Sequence, residues 1–460
     1  MTTPPPPATV EYYASHEKIY PREVRGRFAS LRHGAVFALL GIYYLLPWVR
    51  WDGRQAVLLD LPARRFYIFG LTLWPQDFIY LTWLLVIAAL SLFFFTALGG
   101  RLWCGYACPQ TVWTEAFLWM ERITEGTRAQ RIKLDKAPWS GAKLLRKAAK
   151  QFLWIVFALW TGYTFVSYFS PATTLAGAVF AGTLGPWETF WILFYGFATY
   201  GNAGYLREQV CKYMCPYARF QSAMFDKDTM IITYDATRGE PRGSRPRGTA
   251  ARSMGRGDCI DCTLCVQVCP TGIDIRKGLQ YECIACAACI DACDAVMDKM
   301  GDPHGLIRYT TQHALDGRAS RMLRPRVLVY GALLTLLVGG FLYSIGTRTL
   351  VDLDVLHDRS PLYRMLDSGQ AENVYTLKIL NKDDRAHTFR VSVSGAEQLE
   401  LDPREPRYAV AAGELLPAVV RVRRDAYSTT NPHTIRFAIA AEDNARLGKA
   451  ADSRFFGPTQ

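Results

Sequence analysis

The sequence predicts a multi-domain membrane protein in three parts: a five-helix transmembrane part, a small cysteine-rich α+β module, and a C-terminal all-β sandwich. Three observations lead there. Five apolar stretches approach the roughly 20 residues that a helix needs to cross a bilayer. Eight cysteines stand in a doubled rhythm between Cys259 and Cys293. From residue 352 onward, short alternating runs between turn residues replace the long apolar segments. A chain of 460 residues has room for several domains. They are expected at 1–30 (disordered tail), 31–235 (four-helix membrane domain), 236–257 (linker), 258–305 (cysteine-rich module), 326–346 (fifth helix) and 352–460 (sandwich).

The first ten residues are Pro-rich and lack the basic-then-apolar layout of a cleaved signal, so they read as a disordered cytoplasmic tail. Spans are expected near 34–49, 78–98, 152–170, 187–205 and 327–345, the second and fifth without a charged residue. Basic residues set the orientation. Arg22, Arg25, Arg27 and Arg32 precede the first span, and nine Lys or Arg from Arg122 to Lys150 separate the second from the third, whereas 171–186 carries no charge. The positive-inside rule then puts the N-terminus and the cysteine-rich region in the cytoplasm and the tail outside. The basic residues themselves read as solvated loop surface touching lipid headgroups. This topology accounts for the net charge of +12, and no aromatic-interleaved basic patch points to nucleic acid. Between the first two spans, 50–76 reads as a short outer excursion with an alternating piece at 55–60, and Trp74 and Tyr80 are expected in the interfacial aromatic belt.

The second span runs into Cys104-Gly-Tyr-Ala-Cys108-Pro109 and the fourth into Cys211-Lys-Tyr-Met-Cys215-Pro216. Each Cys-x3-Cys-Pro lies past the cytoplasmic end of an inward-going helix and precedes an amphipathic stretch, 110–123 or 217–228. This is an internal repeat. Four residues apart on a helix puts both thiols on one face, and Pro suits the first turn of a following helix. The two pairs are therefore expected to meet as a four-sulfur site at the membrane surface. Reduced cytoplasmic thiols select Cu(I), zinc or iron–sulfur centres. Met214, between the second pair, reads as packing more readily than as a ligand.

The central stretch reads Cys259-x2-Cys262-x2-Cys265-x3-Cys269-Pro270 and then Cys283-x2-Cys286-x2-Cys289-x3-Cys293, the spacing of a bacterial-type 2[4Fe-4S] ferredoxin module. Three thiolates two residues apart wrap one cluster, and the fourth crosses to the other. Cys259, Cys262, Cys265 and Cys293 are thus expected on one [4Fe-4S] cluster and Cys283, Cys286, Cys289 and Cys269 on the second. Zinc would take four cysteines or a Cys/His mix, and no histidine lies in the stretch. Ile260, Ile273, Ile275 and Ile284 are expected to shield the clusters, with Arg276 and Lys277 nearby. The Gly/Arg/Pro-rich 238–256 reads as a linker that cannot bury a core.

In the tail, runs near 375–380, 387–394, 399–401, 408–412, 415–423 and 433–440 recur about every ten residues, as in an immunoglobulin-like sandwich. His357, His387 and His433 are its available metal ligands.

These motifs and their order resemble the CcoG (FixG or RdxA) family of cytochrome c oxidase accessory proteins over nearly the full chain. The NosR/NapH membrane ferredoxins are similar only over the membrane and ferredoxin portions. The resemblance implies a part in assembling cbb-type haem–copper oxidase. The protein would act as a cupric reductase, with Cys104, Cys108, Cys211 and Cys215 holding copper as substrate. It implies a soluble cytoplasmic electron donor, a copper exporter or copper chaperone, oxidase assembly factors and the bilayer as partners. Two other readings stay open: a quinol-linked NapH/NosR-like electron conduit, and a non-catalytic assembly scaffold. The membrane thiols could equally hold a third thiolate-bound metal site.

Overall fold

Helix α1 (Arg27–Leu45) begins seven residues before the expected span, and the reason lies far along the chain. Its first amides lack intrahelical acceptors. The carboxylate of Asp291 takes them, accepting from Phe28 N at 3.1 Å and Ala29 N at 2.7 Å. The computed structural model describes residues 18–249, 251–395, 398–425, 432–444 and 446–458. Of the expected disordered tail, 1–17 lies outside the described residues. Residues 18–30 are tied down instead, through Lys18 and Tyr20 on Asp135 and Arg22 N on the Gln267 carbonyl.

The chain divides into two units, Met1–Leu337 and Val338–Gln460. In the first, α1 leads into a hairpin of β1 (Arg50–Trp51) and β2 (Arg54–Gln55), then a three-stranded antiparallel sheet of β3 (Val57–Asp60), β4 (Arg65–Ile68) and β5 (Leu71–Leu73). The outer excursion is therefore a small sheet. Trp74, just after it, and Tyr80, on the helix that follows, are buried, Trp74 lying 4.9 Å beneath the Arg65 guanidinium.

Helix α2 (Phe78–Gly99) is followed by α3 (Leu102–Tyr106), α4 (Pro109–Glu125), α5 (Arg128–Lys136), α6 (Gly141–Val166), α7 (Ala172–Ala181) and α8 (Pro186–Thr199), with π-helical turns at Tyr200–Leu206 and Val210–Met214 before α9 (Pro216–Met224). Among the described residues, three helical segments are long and apolar enough to cross a bilayer: Arg27–Trp48, Pro75–Gly99 and Pro325–Gly346. Helix α6 falls short of the expected third span because its first turns carry Lys143, Arg146, Lys147 and Lys150. Helix α8 falls short because its α-helical part stops after 14 residues. The two pack closely: a Cβ on Gly162 would lie 2.2 Å from the Ile192 carbonyl oxygen, so only glycine permits the crossing.

The basic residues between the second and third expected spans are not all solvated surface. Arg131, Lys143 and Lys150 are buried. Glu121 accepts from Arg131 at 2.9 Å and Arg207 at 2.8 Å, and Glu125 pairs with Lys147 at 2.9 Å and Lys150 at 3.0 Å. Burial raises the Glu121 carboxyl, but Arg207, Lys150 and Arg131 outweigh it and hold the group below its usual range. The acids of α4 thus gather cations that the sequence offered to solvent.

The cysteine-rich module extends past its expected bounds. Strand β6 (Ile231–Tyr234) pairs antiparallel with β7 (Ile307–Thr310) and closes it from outside. Between them lie α10 (Ala236–Gly239), α11 (Leu264–Gln267) and α12 (Ala288–Met300), and after them α13 (Gln312–Leu315). The expected linker is folded onto this module: Gly243 N donates to the Cys259 carbonyl at 3.0 Å, and Arg245 is buried against Asp302.

Helix α14 (Pro325–Gly346) leads to β8 (Val351–His357), β9 (Arg364–Met365), β10 (Gln370–Asn381), β11 (His387–Ser394), β12 (Glu400–Asp402), β13 (Arg407–Val410), β14 (Leu415–Asp425), β15 (His433–Ala441) and β16 (Gly448–Phe455). One sheet runs β12-β14-β10-β8 with β9 on β10, the other β13-β11-β15-β16. The alternating residues Tyr375, Leu377 and Ile379 of one sheet and Phe389, Phe437 and Ile439 of the other form the core between them. Beyond the expected runs the sandwich gains β8, β9 and β16. Its histidines do not converge: His357 contacts Asn373 at 2.8 Å, while His387 lies between Asp443 at 2.7 Å and Asp383 at 3.0 Å.

Candidate metal centres

The two cysteine loops share one backbone device. Asp261 and Thr263 flank Cys262, Ala285 and Ala287 flank Cys286, and all four are non-glycine residues in the left-handed region, with φ between 53° and 59°. L-residues avoid that region. Two such residues around the middle cysteine curl each loop about a common centre and turn its amides inward, as in anion-binding nests.

The result is two cavities with crossed linings. Cys259, Cys262, Cys265 and Cys293 line one, together with Ile260. Cys269, Cys283, Cys286 and Cys289 line the other, with Cys265 at the shared wall and Ile273, Ile275 and Ile284 around it. Of these cysteines Cys262 is the exposed one. Arg276 reaches Asp274 at 2.8 Å and also Asp261, so carboxylates neutralise it. Burial pushes Cys265 up to about 11, against Arg276 and with Asp274, Cys262 and Cys259 adding to it, and burial followed by neighbouring thiols and Asp294 pushes Cys293 up to about 12. Burial likewise pushes Cys283 up to about 12. Thiols in such surroundings give up their protons only when a cation takes their place. Soft sulfur donors crowded in apolar walls therefore fit iron–sulfur clusters. Cys259, Cys262, Cys265 and Cys293 would hold one, and Cys269, Cys283, Cys286 and Cys289 the other.

The membrane thiols are arranged differently from the expected single helical face. Cys104 lies in α3, whereas Cys108 is the extended residue before α4. Cys211 lies in the π-helical turn and Cys215 is the extended residue before α9. Each pair straddles a break, with Pro109 or Pro216 opening the following helix. Cys104 and Cys211 nonetheless feel the charge of other members of the set. Burial raises Cys104 to about 12, and Cys108, Cys211 and Cys215 add to it across the site, against Arg101. Cys211 is pushed up to about 11 by burial and by Cys108 and Cys215. Among the described residues, no three His, Cys, Asp or Glu side chains already converge at single-ion distance, so these thiols are neighbours and not a closed cage. Cys104 Sγ donates to Gln221 Oε1 at 3.3 Å, and its carbonyl accepts from Thr111 Oγ1 at 2.6 Å.

The site has two openings. A cavity walled by Cys211 on one side and Cys286 on the other contains Gln110, Glu115 and His33. A groove on the far side is lined by Tyr213, Met214, Cys215 and Phe220, with Met214 exposed and not packed. Arg32, Arg101, Gln221, Asp291 and Tyr309 were not legible as site residues. Arg101 had one local signal, its place directly before Leu-Trp-Cys104. Arg32, Gln221 and Asp291 act through contacts made more than 100 residues away, and Tyr309 donates to the Ala285 carbonyl 24 residues before it.

Comparison with known proteins bears on the same residues. A family described as a 4Fe-4S dicluster domain matches 206–312, a window that takes in Cys211 and Cys215 as well as the eight central cysteines. A family described as a 4Fe-4S binding domain matches 81–125, including Cys104 and Cys108. The family of the Ig-like fold at the C-terminus of FixG matches 341–458. The chain is 41% identical over 420 residues to the nitrogen fixation protein FixG of Rhizobium meliloti, covering 83% of this chain and 80% of that one. It is 42% identical over 413 residues to protein RdxB of Cereibacter sphaeroides, covering 87% and 86%. A crystal structure of a FixG-related protein from Vibrio parahaemolyticus aligns with 23% identity and a TM-score of 0.22, over 24% of this chain and 100% of that one.

Proposed function

The chain belongs to the FixG/RdxA family of membrane iron–sulfur proteins, and on that basis we propose that it is an oxidoreductase that reduces Cu(II) to Cu(I) for assembly of cbb-type haem–copper oxidase. One observation supports this most: Gly105, beside Cys104, packs against the carbonyls of the second cysteine loop, and Cys211 of the other repeat lines one cavity with Cys286 of that loop. The clusters, when bound, supply single electrons. Cys104, Cys108, Cys211 and Cys215 would hold copper as the substrate, because thiolates favour the reduced ion over the oxidised one. Cys104 and Cys211 are half-buried, and Cys211 also lines the cavity that reaches Cys286. The exposed groove at Met214 and Cys215 offers a soft-ligand side from which a copper exporter or chaperone would take Cu(I).

The topology belongs to the same proposal. Helices α6 and α8 are read as further spans, giving five. Phe152, Ile155, Val156 and Trp160 on α6, and Trp187, Phe190, Leu193 and Phe197 on α8, all face outward as lipid-facing residues would. The N-terminus and the cysteine-rich module would then face the bacterial cytoplasm and a soluble electron donor. The sandwich would face the periplasm and docks on oxidase assembly factors.

The cavity between Cys211 and Cys286 favours a second reading, a quinol-linked conduit. Its His33 lies 3.8 Å from Glu115, a pair suited to accepting protons from a bound quinol. Anaerobic Cu(II) reduction separates the two. Purified, dithionite-reduced and desalted protein is compared with a variant in which Cys104, Cys108, Cys211 and Cys215 are all Ser, with iron and sulfide measured in both. Copper reduction lost in a variant that retains its iron supports the reductase. Equal rates in both would sink it, and cluster reduction by quinol would then favour the conduit.

A further inference from the structure

One buried guanidinium joins the cysteine-rich loops to the membrane helices. Arg101 follows the end of α2 and is 4% exposed. Its Nη1 donates to the carbonyls of Tyr281 and Cys283, the latter at 3.2 Å, and its Nη2 to the carbonyl of Ala218 on α9 at 2.6 Å. A single side chain thus grips the second cysteine loop and the helix that places Gln221 on Cys104. Four residues on, Gly105 lies so close to the same loop that an added Cβ would stand 2.8 Å from the Ala285 oxygen and 2.9 Å from that of Ile284. Arg32 donates to the Cys286 carbonyl of this loop as well. The first loop is held otherwise, its Cys259 carbonyl accepting from Gly243 in the folded 238–256 stretch.

The two loops also differ in charge. Arg276, beside the first set, is paired with two carboxylates, whereas among the described residues Arg101, beside the second, forms no ion pair and donates to neutral carbonyls. An uncompensated, permanently charged guanidinium in a dry site favours the more negative, reduced form of whatever the second set holds.

We propose that Arg101 is a positioning residue that holds the second cysteine set, and not the first, against the membrane thiols and raises the reduction potential of the cluster that set carries. Its use for copper rests on the function proposed above; the potential does not.

The test is an anaerobic redox titration of the full-length protein in detergent, followed by the electron paramagnetic resonance signal of each cluster. A Cys262→Ser variant identifies the signal of the first set. Arg101→Gln is expected to shift the midpoint of the second cluster downward, leave the first in place and keep the iron content of wild type. Arg101→Lys, which retains the charge, is expected to restore most of the shift. Two unchanged midpoints, or two falling together, would overturn the proposal. Should Arg101→Gln lose iron, Arg32→Gln removes the other guanidinium on the same loop and must lower the same midpoint alone; an unmoved midpoint there overturns it equally. Copper reduction by the wild-type preparation is measured separately, so failure of that activity refutes the reductase without touching the midpoints.

Discussion

The cysteine-rich module and the C-terminal sandwich hold together by different means. In the sandwich, Tyr375, Leu377, Ile379, Phe389, Phe437 and Ile439 are sealed between two sheets whose longest pairing, β10 on β14, runs eleven residues. Apolar burial and a continuous ladder suffice there. In the module the ladder is four residues long, the helices other than α12 are single turns, and two cysteines belong to the core alongside Ile232, Tyr234, Ile275 and Met297. Left-handed backbone at its centre carries strain that bound metal would offset. The first is a domain of side chains, the second a shell around inorganic matter.

Stripping the clusters should separate the two most. Oxidation with a chelator present is expected to unfold the module, so that amides of β6, β7 and α12 exchange freely while those of β10 and β14 stay protected; hydrogen exchange followed by mass spectrometry reads both. Equal loss of protection in both regions would end the comparison. Phe437→Ala inverts the experiment. A fully buried aromatic in the sandwich should cost about 3–5 kcal/mol, seen as earlier loss of β10 and β14 protection in denaturant, with iron content unchanged.

Gly105→Ala probes where the module meets the membrane helices. The methyl group must displace the carbonyls of Ile284 and Ala285, at about 1–3 kcal/mol, whereas Lys212→Ala at the matching position of the second motif should stay within about 0.5 kcal/mol. Thermal release of iron from the two variants compares them. The smallest effect belongs to His387. Burial lowers its affinity for a proton, but Asp443 and Asp383 outweigh that and raise it above the ordinary histidine value. The stability it contributes is thus fully present below about pH 6.5 and is lost as pH rises through the raised value. Wild type should therefore lose more sandwich stability between pH 5.5 and 8.5 than His387→Asn does, by denaturant titration at the two pH values.

What could be read in advance divides along the same line. Cluster spacing is legible because ligands of one cubane must be close in sequence, so the intervals from Cys259 to Cys293 carry their meaning locally. The strands β10, β11, β14 and β15 are legible because one buried face imposes alternation. Strand β8 also alternates at Val351, Leu353 and Val355, yet directly after a membrane helix its short run does not stand out. Helix α6 misleads because Lys143 to Lys150 look like loop until Glu121 and Glu125 are seen beneath them. The junction is least legible: Arg101 meets Cys283 across 182 positions, and no local pattern announces a guanidinium that will bind carbonyls.

The cap on α1 has a consequence for synthesis. Its first turn leaves the ribosome early, but the carboxylate that satisfies its amides follows 262 residues behind Ala29. The helix must wait, its entry end unfinished, while α2 to α11 and the first cysteine loop are made. Asp291 lies between Cys289 and Cys293, one ligand expected on each cluster. The same short stretch of α12 would thus serve both metal centres and the start of α1. A cell that fails to supply iron is expected to hold a chain in which that cap is weakened.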